Sequence, residues 1–169
     1  MIWAIVLAAG ASTRFGEPKQ RLLLAGVLDR VRASAVDDVL VVLGAHTVDT
    51  DARTVECLEW ERGPGASLRC GVTALPASAD AAVVVLADGP DLDPRAIDRV
   101  IDAWRSSGAE VVAATYAGVR LHPVVLSRSA WSDIPDDGGR TLDAELVACD
   151  DLTPPGDVDV PDDLEKRRP

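Results

Sequence analysis

At 169 residues, 47% hydrophobic and 27% charged, the chain has the size and composition of one ordinary globular domain with a real core, which excludes a disordered polypeptide. A net charge of −11 excludes a general nucleic-acid or anionic-membrane surface, so a polyphosphate site has to be made locally from backbone N–H groups, a few cations and a metal ion. No stretch reaches the ~20 apolar residues of a membrane span, and Met1–Ala9 lacks the basic start of a signal peptide, so the expected compartment is the cytoplasm.

Ile2–Ala8 reads as a buried strand, followed by a loop of small residues. A helix is expected over Val27–Ala35, then strand Val39–Leu43, helix Leu68–Leu75 and strand Ala82–Leu86. The helix Pro94–Trp104 carries its own start signal, with Asp93 as cap and Pro94 in the first turn. Strands Glu110–Ala114 and Val119–Leu126 come next, then a polar turn at Pro135–Arg140, an acidic, proline-containing segment Val147–Asp159 and a short helix from Pro161. Short, continuous Val/Ile/Leu/Ala runs alternating with helices predict an α/β fold of three layers, α/β/α, with a mostly parallel sheet covered on both faces. No repeat or linker divides the chain, and residues 1–169 read as a single domain.

Cys57, Cys70 and Cys149 are odd in number and widely spaced, so they read as small apolar side chains rather than as a disulfide framework or a zinc site. The four tryptophans, Trp3, Trp60, Trp104 and Trp131, have no spacing that groups them and read as core or core edge. His46 reads as a strand-end or cap residue, and Lys166-Arg167-Arg168 as a solvated tail.

The chemistry concentrates in the loop after the first strand, Ala8-Ala9-Gly10-Ala11-Ser12-Thr13-Arg14-Phe15-Gly16-Glu17-Pro18-Lys19. Small residues at the carboxyl end of a buried strand let the backbone approach a ligand and point N–H groups at phosphate oxygens. Ser12 and Thr13 add hydroxyls, and Arg14 and Lys19 add fixed positive charge. The spacing fits neither Gly-x-Gly-x-x-Gly nor Gly-Lys-Ser/Thr, which removes a dinucleotide fingerprint and a P-loop. Farther on, Asp88 stands where a buried strand meets Gly89-Pro90, a position suited to presenting a carboxylate to Mg²⁺.

Leu7-Ala8-Ala9-Gly10-x-Ser12-x-Arg14-x-Gly16-x-x-Lys19 resembles the signature of the MobA/MocA-like nucleotidyltransferases, the cytidylyl- and guanylyltransferases that extend molybdopterin. Further blocks follow in that family's order. Gly63-Pro64-Gly65-Ala66-Ser67-Leu68-Arg69-x-Gly71 resembles the nucleoside segment, and Leu86-Ala87-Asp88-Gly89-Pro90 the metal-binding Asp-x-Pro. His122-Pro123-Val124-Val125-Leu126 and Asp136-x-Gly138-Gly139-Arg140 resemble the acceptor-side blocks, and Asp157-Val158-Asp159-Val160-Pro161-Asp162-Asp163-Leu164 the closing motif.

The resemblance implies a Rossmann-like, GT-A-like fold and a Mg²⁺-dependent transfer of a nucleoside monophosphate from CTP, or less favourably GTP, to a phosphorylated acceptor such as molybdopterin. It implies contact with a molybdoenzyme or its chaperone. The catalytic cations would be Arg14 at the pyrophosphate and Lys19 at the α-phosphate. Leu7, Ala8, Ala9, Gly10, Ser12, Ser67 and Asp88 would complete the nucleotide site. Asp88 and Asp159 would hold the metal, with Asp157 a weaker candidate and Asp162 and Asp163 first-turn acids of the last helix. His122 and Arg140 would face the acceptor.

The alternatives are a sugar-phosphate nucleotidyltransferase and a non-catalytic nucleotide-binding module of the same descent. Four departures from the family pattern bear on acceptor identity and activity. Leu22-Leu23-Leu24-Ala25-Gly26 passes straight into Val27, so the next helix is expected to start late and leave a thinner wall behind the loop. The segment after Arg140 is short, Gly89 replaces a larger residue between the metal aspartate and its proline, and Cys57 stands where several relatives have asparagine.

Overall fold

The computed structural model describes residues 1–12, 15, 18–159 and 162–163. Strands β1 (Ile2–Ala8), β2 (Asp38–Leu43), β3 (Arg53–Glu56), β4 (Ala81–Leu86), β5 (Val111–Tyr116), β6 (Val119–Ser127) and β7 (Glu145–Ala148) form one sheet in the order β3-β2-β1-β4-β6-β5-β7. Only β6 runs against its neighbours β4 and β5; the other pairings are parallel. The mostly parallel, three-layer α/β/α arrangement read from the sequence is the one observed.

Both faces of the sheet are covered, which is why its central strands read as unbroken apolar runs. Side chains alternate between faces along each strand. Ala4, Val6 and Ala8 of β1 pack on helices α1 (Gln20–Arg32) and α3 (Pro94–Ser107), through Val27, Val31, Ile97 and Ile101. Trp3 and Ile5 face helix α2 (Pro64–Ala74), through Leu68 and Val72. The Asp93 side chain accepts the N–H of Arg95 and caps α3 as expected. No helix among the described residues is long and apolar enough to cross a membrane.

The structure corrects several boundaries. Helix α1 begins at Gln20, directly behind the loop, and not at Val27, so the loop is backed by a full helix and the expected thinner wall is absent. Gln20, Leu23, Leu24, Val27, Leu28 and Val31 make one buried stripe, while Gly26 falls on the exposed side. Helix α2 starts at Pro64, four residues before the first apolar residue that signalled it. Strands β3 and β7 were not anticipated, because as mostly exposed edge strands they lack an apolar run. The short helix expected from Pro161 lies largely outside the described residues; Asp162 and Asp163 are helical.

The cysteine reading also changes. Cys57, after β3, and Cys70, on α2, are joined in a disulfide, with Cα atoms 5.7 Å apart. The parallel crossover from β3 to α2 folds the chain back over a separation of 13 residues, which linear spacing could not reveal. Cys149 is a buried free thiol, as expected, and burial raises its pKa. Reducing the bridge releases a loop whose closure is worth about 3 kcal/mol in the chain-entropy account. Urea unfolding with and without a dithiol reductant is expected to show a loss of that order, and an unchanged midpoint would mean that the bridge does not constrain the unfolded chain.

Candidate functional site

The chain lays down β1, β2 and β3 outward in one direction, then returns to place β4 on the other side of β1. This reversal opens a crevice beyond the carboxyl ends of β1 and β4, the place where open α/β sheets bind ligands. The loop from β1 and the Asp88 segment from β4 both empty into it.

The loop's carbonyl groups are turned toward the protein. Ala9 O accepts from Ala45 N at 3.1 Å, Gly10 O from Gln20 Nε2 at 2.7 Å, Ala11 O from His46 Nε2 at 2.9 Å and Ser12 O from Phe15 N at 2.9 Å. Among the described residues, the N–H groups of Gly10, Ala11 and Ser12 have no protein acceptor. Ser12 adopts the left-handed conformation (φ 54°), which helps to curl the segment into a nest of N–H groups suited to an anion. Ser12 Oγ donates to Gln20 Oε1 at 2.9 Å and accepts from Lys19 N at 3.3 Å.

Gln20 and His46 therefore set the loop's geometry; Gln20 carried no reading in the sequence, and His46, read as a strand-end or cap residue, turns out to hold the Ala11 carbonyl. For Gln20 the signal was present: it occupies the core-facing stripe of α1, where a polar side chain needs partners. It is 3% exposed and is satisfied at both ends. Gln20→Leu strips Gly10 O and Ser12 Oγ of their partner and is expected to cost about 1–3 kcal/mol of stability, measurable by chemical denaturation. A variant as stable as the wild type would show that water replaces the amide.

A pocket of about 260 Å³ lies over this nest, lined among others by Leu7, Ala8, Gly10, Ser12, Lys19, Asp88 and Asp159. Lys19 Nζ is 2.8 Å from Asp88 Oδ2 and 3.5 Å from Asp159 Oδ1, and it donates to Val158 O at 2.7 Å. Three sites far apart in the chain thus meet at one ammonium. Val158, fully buried with Phe15 and Leu23, anchors the Asp157–Asp159 segment against the loop and α1. The Asp159 N–H donates to Asp163 Oδ2, so Asp163 braces this segment as well as standing at a helix start. The hard carboxylate and carbonyl oxygens around Lys19 are the donor type that Mg²⁺ and Mn²⁺ take. Asp88 and Asp159 fit such an ion, with the ammonium standing where a cation is welcome.

Beside it, sharing Leu7, lies a larger cleft of about 710 Å³. Its floor is apolar (Leu68, Val84, Leu86, Val124, Leu126), and Arg120, His122, Asp137, Arg140 and Asp157 stand around it. Burial lowers the His122 pKa to about 4; Asp88 pulls it up, while Arg140 and Arg120 reinforce the lowering, so the imidazole is neutral at physiological pH. Arg120 donates to Leu142 O at 2.7 Å and Gly139 O at 3.2 Å, holding the loop that carries Arg140. That loop docks on the start of α2: Gly65 N donates to Asp136 O at 3.0 Å, and Arg69 donates to Ile134 O at 2.8 Å and Asp136 Oδ1 at 2.6 Å. The Gly63–Gly71 and Asp136–Arg140 blocks of the sequence are therefore in contact.

Of the expected site residues, Leu7, Ala8, Gly10, Ser12, Lys19, Asp88 and Asp159 line the smaller pocket, and His122 and Arg140 the larger. Ala9 is buried behind the loop. Ser67 is 4% exposed within α2, whose cleft wall is formed by Pro64 and Leu68. Arg14 lies outside the described residues. Gly89 has a structural reason: a Cβ there would lie 3.2 Å from Pro155 Cβ, so glycine lets the 154–157 segment close over the end of β4.

The bifunctional protein GlmU of Rubrobacter xylanophilus is 29% identical over 120 residues, covering 63% of this chain and 26% of GlmU. The 2-C-methyl-D-erythritol 4-phosphate cytidylyltransferase of Stenotrophomonas maltophilia is 32% identical over 160 residues, covering 82% of this chain and 63% of the enzyme. The chain thus spans about a quarter of the first relative and under two thirds of the second. Among solved structures, Rv0371c of Mycobacterium tuberculosis H37Rv superposes with a TM-score of 0.78 at 30% identity, over 98% of this chain and 97% of that one. A manganese complex of the same protein superposes at 0.75 and 28% identity, over 98% and 96%. A family model described as the MobA-like NTP transferase domain matches residues 4–148, from the first strand to the last, and takes in both the loop after β1 and Asp88. The chain belongs to the MobA-like NTP transferase domain family.

Proposed function

We propose that residues 1–169 act as one divalent-metal-dependent nucleotidyltransferase domain, moving a nucleoside monophosphate from a triphosphate to a phosphorylated small molecule. The observation that carries this reading is the convergence of Lys19, Asp88 and Asp159 beside a nest of outward N–H groups. An acceptor phosphate oxygen attacks the α-phosphorus of the triphosphate. A new P–O–P link forms as the α–β bridge breaks, and pyrophosphate leaves with the bond's electrons. A phosphate monoester is already anionic near neutral pH, so no general base is required, and catalysis is positioning and charge neutralisation.

In this reading the Ala8–Ser12 segment cradles the phosphates, Lys19 serves the α-phosphate and Arg14 the pyrophosphate. Asp88 and Asp159 hold Mg²⁺, which when bound offsets charge on the triphosphate. Pro64 and Leu68 form the nucleoside wall, and Ser67, beside them in α2, offers the hydroxyl for a hydrogen bond to the nucleoside. Arg140 receives the acceptor phosphate, and His122 stays neutral beside it. CTP is favoured over GTP, with molybdopterin as the first acceptor, handed on to a molybdoenzyme or its chaperone, and the cytoplasm as the compartment. The Cys57–Cys70 bridge is unusual there. Identity to a cytidylyltransferase named for an erythritol phosphate favours a second reading, in which the acceptor is an alditol or sugar phosphate.

The test is pyrophosphate release with each nucleoside triphosphate and Mg²⁺, with and without molybdopterin or 2-C-methyl-D-erythritol 4-phosphate. Acceptor-dependent release, fastest with CTP, is expected. Tight nucleotide binding with no turnover on either acceptor would instead make the protein a nucleotide-binding module.

A further inference from the structure

Lys19 is engaged twice over. The proposed reaction needs its ammonium at the α-phosphate, yet here that ammonium contacts Asp88 Oδ2, Val158 O and Asp159 Oδ1 at 2.8, 2.7 and 3.5 Å. An ammonium has three protons to donate, so these oxygens account for all of them. The side chain is 12% exposed, which sets this contact apart from a surface pair screened by water. The same two carboxylates are the ones that fit a divalent ion. One position is thus claimed by two cations.

We propose that Lys19 is an interlock: without nucleotide, its ammonium keeps the cation position between Asp88 and Asp159, so the site admits a metal–triphosphate complex and discriminates against free metal. The inference rests on the transferase reading of the site. Free metal has to displace charge-assisted hydrogen bonds and then sit beside an ammonium with no counter-charge. A triphosphate removes both penalties, because its oxygens take up the displaced ammonium. Metal and nucleotide then strengthen each other's binding, and the coupling is reciprocal. Lys19 therefore influences which form of the substrate enters, in addition to its place at the phosphate.

The probe is Mn²⁺ alone, with free ion followed by electron paramagnetic resonance, on wild type, Lys19→Met and Lys19→Arg. Lys19→Met is expected to bind Mn²⁺ about ten- to a hundredfold more tightly than wild type, the scale of a lost charge-assisted contact. Lys19→Arg keeps the charge and is expected to remain weak. Adding α,β-methylene-CTP is expected to tighten Mn²⁺ binding in wild type and to do so much less in Lys19→Met. Equal or weaker Mn²⁺ binding by a folded Lys19→Met overturns the interlock. Should that variant unfold in a thermal melt, wild type decides alone: Mn²⁺ binding as tight without the analogue as with it overturns the proposal. Unchanged Mn²⁺ behaviour in a protein that releases pyrophosphate would remove the interlock and keep the transferase. Absence of release with the expected Mn²⁺ pattern would do the reverse.

Discussion

Asp88→Asn is expected to lower kcat/KM for acceptor-dependent pyrophosphate release about a thousandfold, the upper end of what removing one preorganised electrostatic group costs. The substitution keeps the side chain's shape and deletes its charge. Asp88 stands at the carboxyl end of β4, with Gly89 N bonded back to Leu86 O and Ala87 N to Leu7 O, so the turn that presents it is held by backbone and should persist. What is lost is the carboxylate that meets Lys19 at 2.8 Å and that the transferase reading gives to the metal. The loss should appear mainly in kcat, because a charge developing on the phosphates loses its counter-ion in the transition state. Thermal unfolding should fall only moderately, since the Lys19 ammonium keeps Val158 O and Asp159 as partners. A folded Asp88→Asn enzyme within tenfold of wild type would remove Asp88 from the reaction.

Gly65→Ala should have the largest structural effect of any single methyl group near the site. Its Cβ would fall 1.9 Å from Pro135 O and 2.7 Å from Asp136 Cα. These are backbone atoms and have no rotamer by which to retreat, so the 135–140 loop must lift from α2. The Gly65–Asp136 hydrogen bond breaks, and the Arg69 contacts to Ile134 O and Asp136 are strained. A destabilisation of about 3 kcal/mol is expected from overpacking of this kind. The floor and rim of the larger cleft separate with it, so nucleotide KM should rise about tenfold, the equivalent of about 1.4 kcal/mol. Gly26→Ala is the control: nothing lies within 4 Å of its added Cβ, and an exposed helix interior gains about 0.5–1 kcal/mol from the exchange. Equal melting points for the two variants would show that the loop is not packed on α2.

Why some of this was legible in the sequence and some was not follows from burial. The central strands were legible because a strand sealed on both faces has to be apolar throughout, as in β1 and β4. Edge strands β3 and β7 have no such obligation, and their exposed Arg, Thr and Glu residues carry no periodic signal. The start of α1 was missed because three consecutive leucines obscure helical spacing, and the stripe emerges only when Gln20 is counted as a core residue. At the site, Lys19, Asp88 and Asp159 were each recognisable from motif blocks, and the structure brings them together. The roles of Gln20 and His46 were not legible because their side chains act on backbone carbonyls, and that of Val158 because it offers its own carbonyl to Lys19; a sequence shows side chains but not which carbonyl takes part. The disulfide was hidden for a related reason: cysteine spacing says nothing about where a crossover returns.

The contact between Lys19 and Val158 spans 139 positions of chain. Every strand of the sheet is in hand once Ala148 has been made, but two of the three oxygens around the ammonium belong to Val158 and Asp159. A chain cut after β7 therefore keeps every described strand but leaves the Lys19 ammonium with Asp88 alone of these three partners, so the sheet and the cluster at its edge are separable.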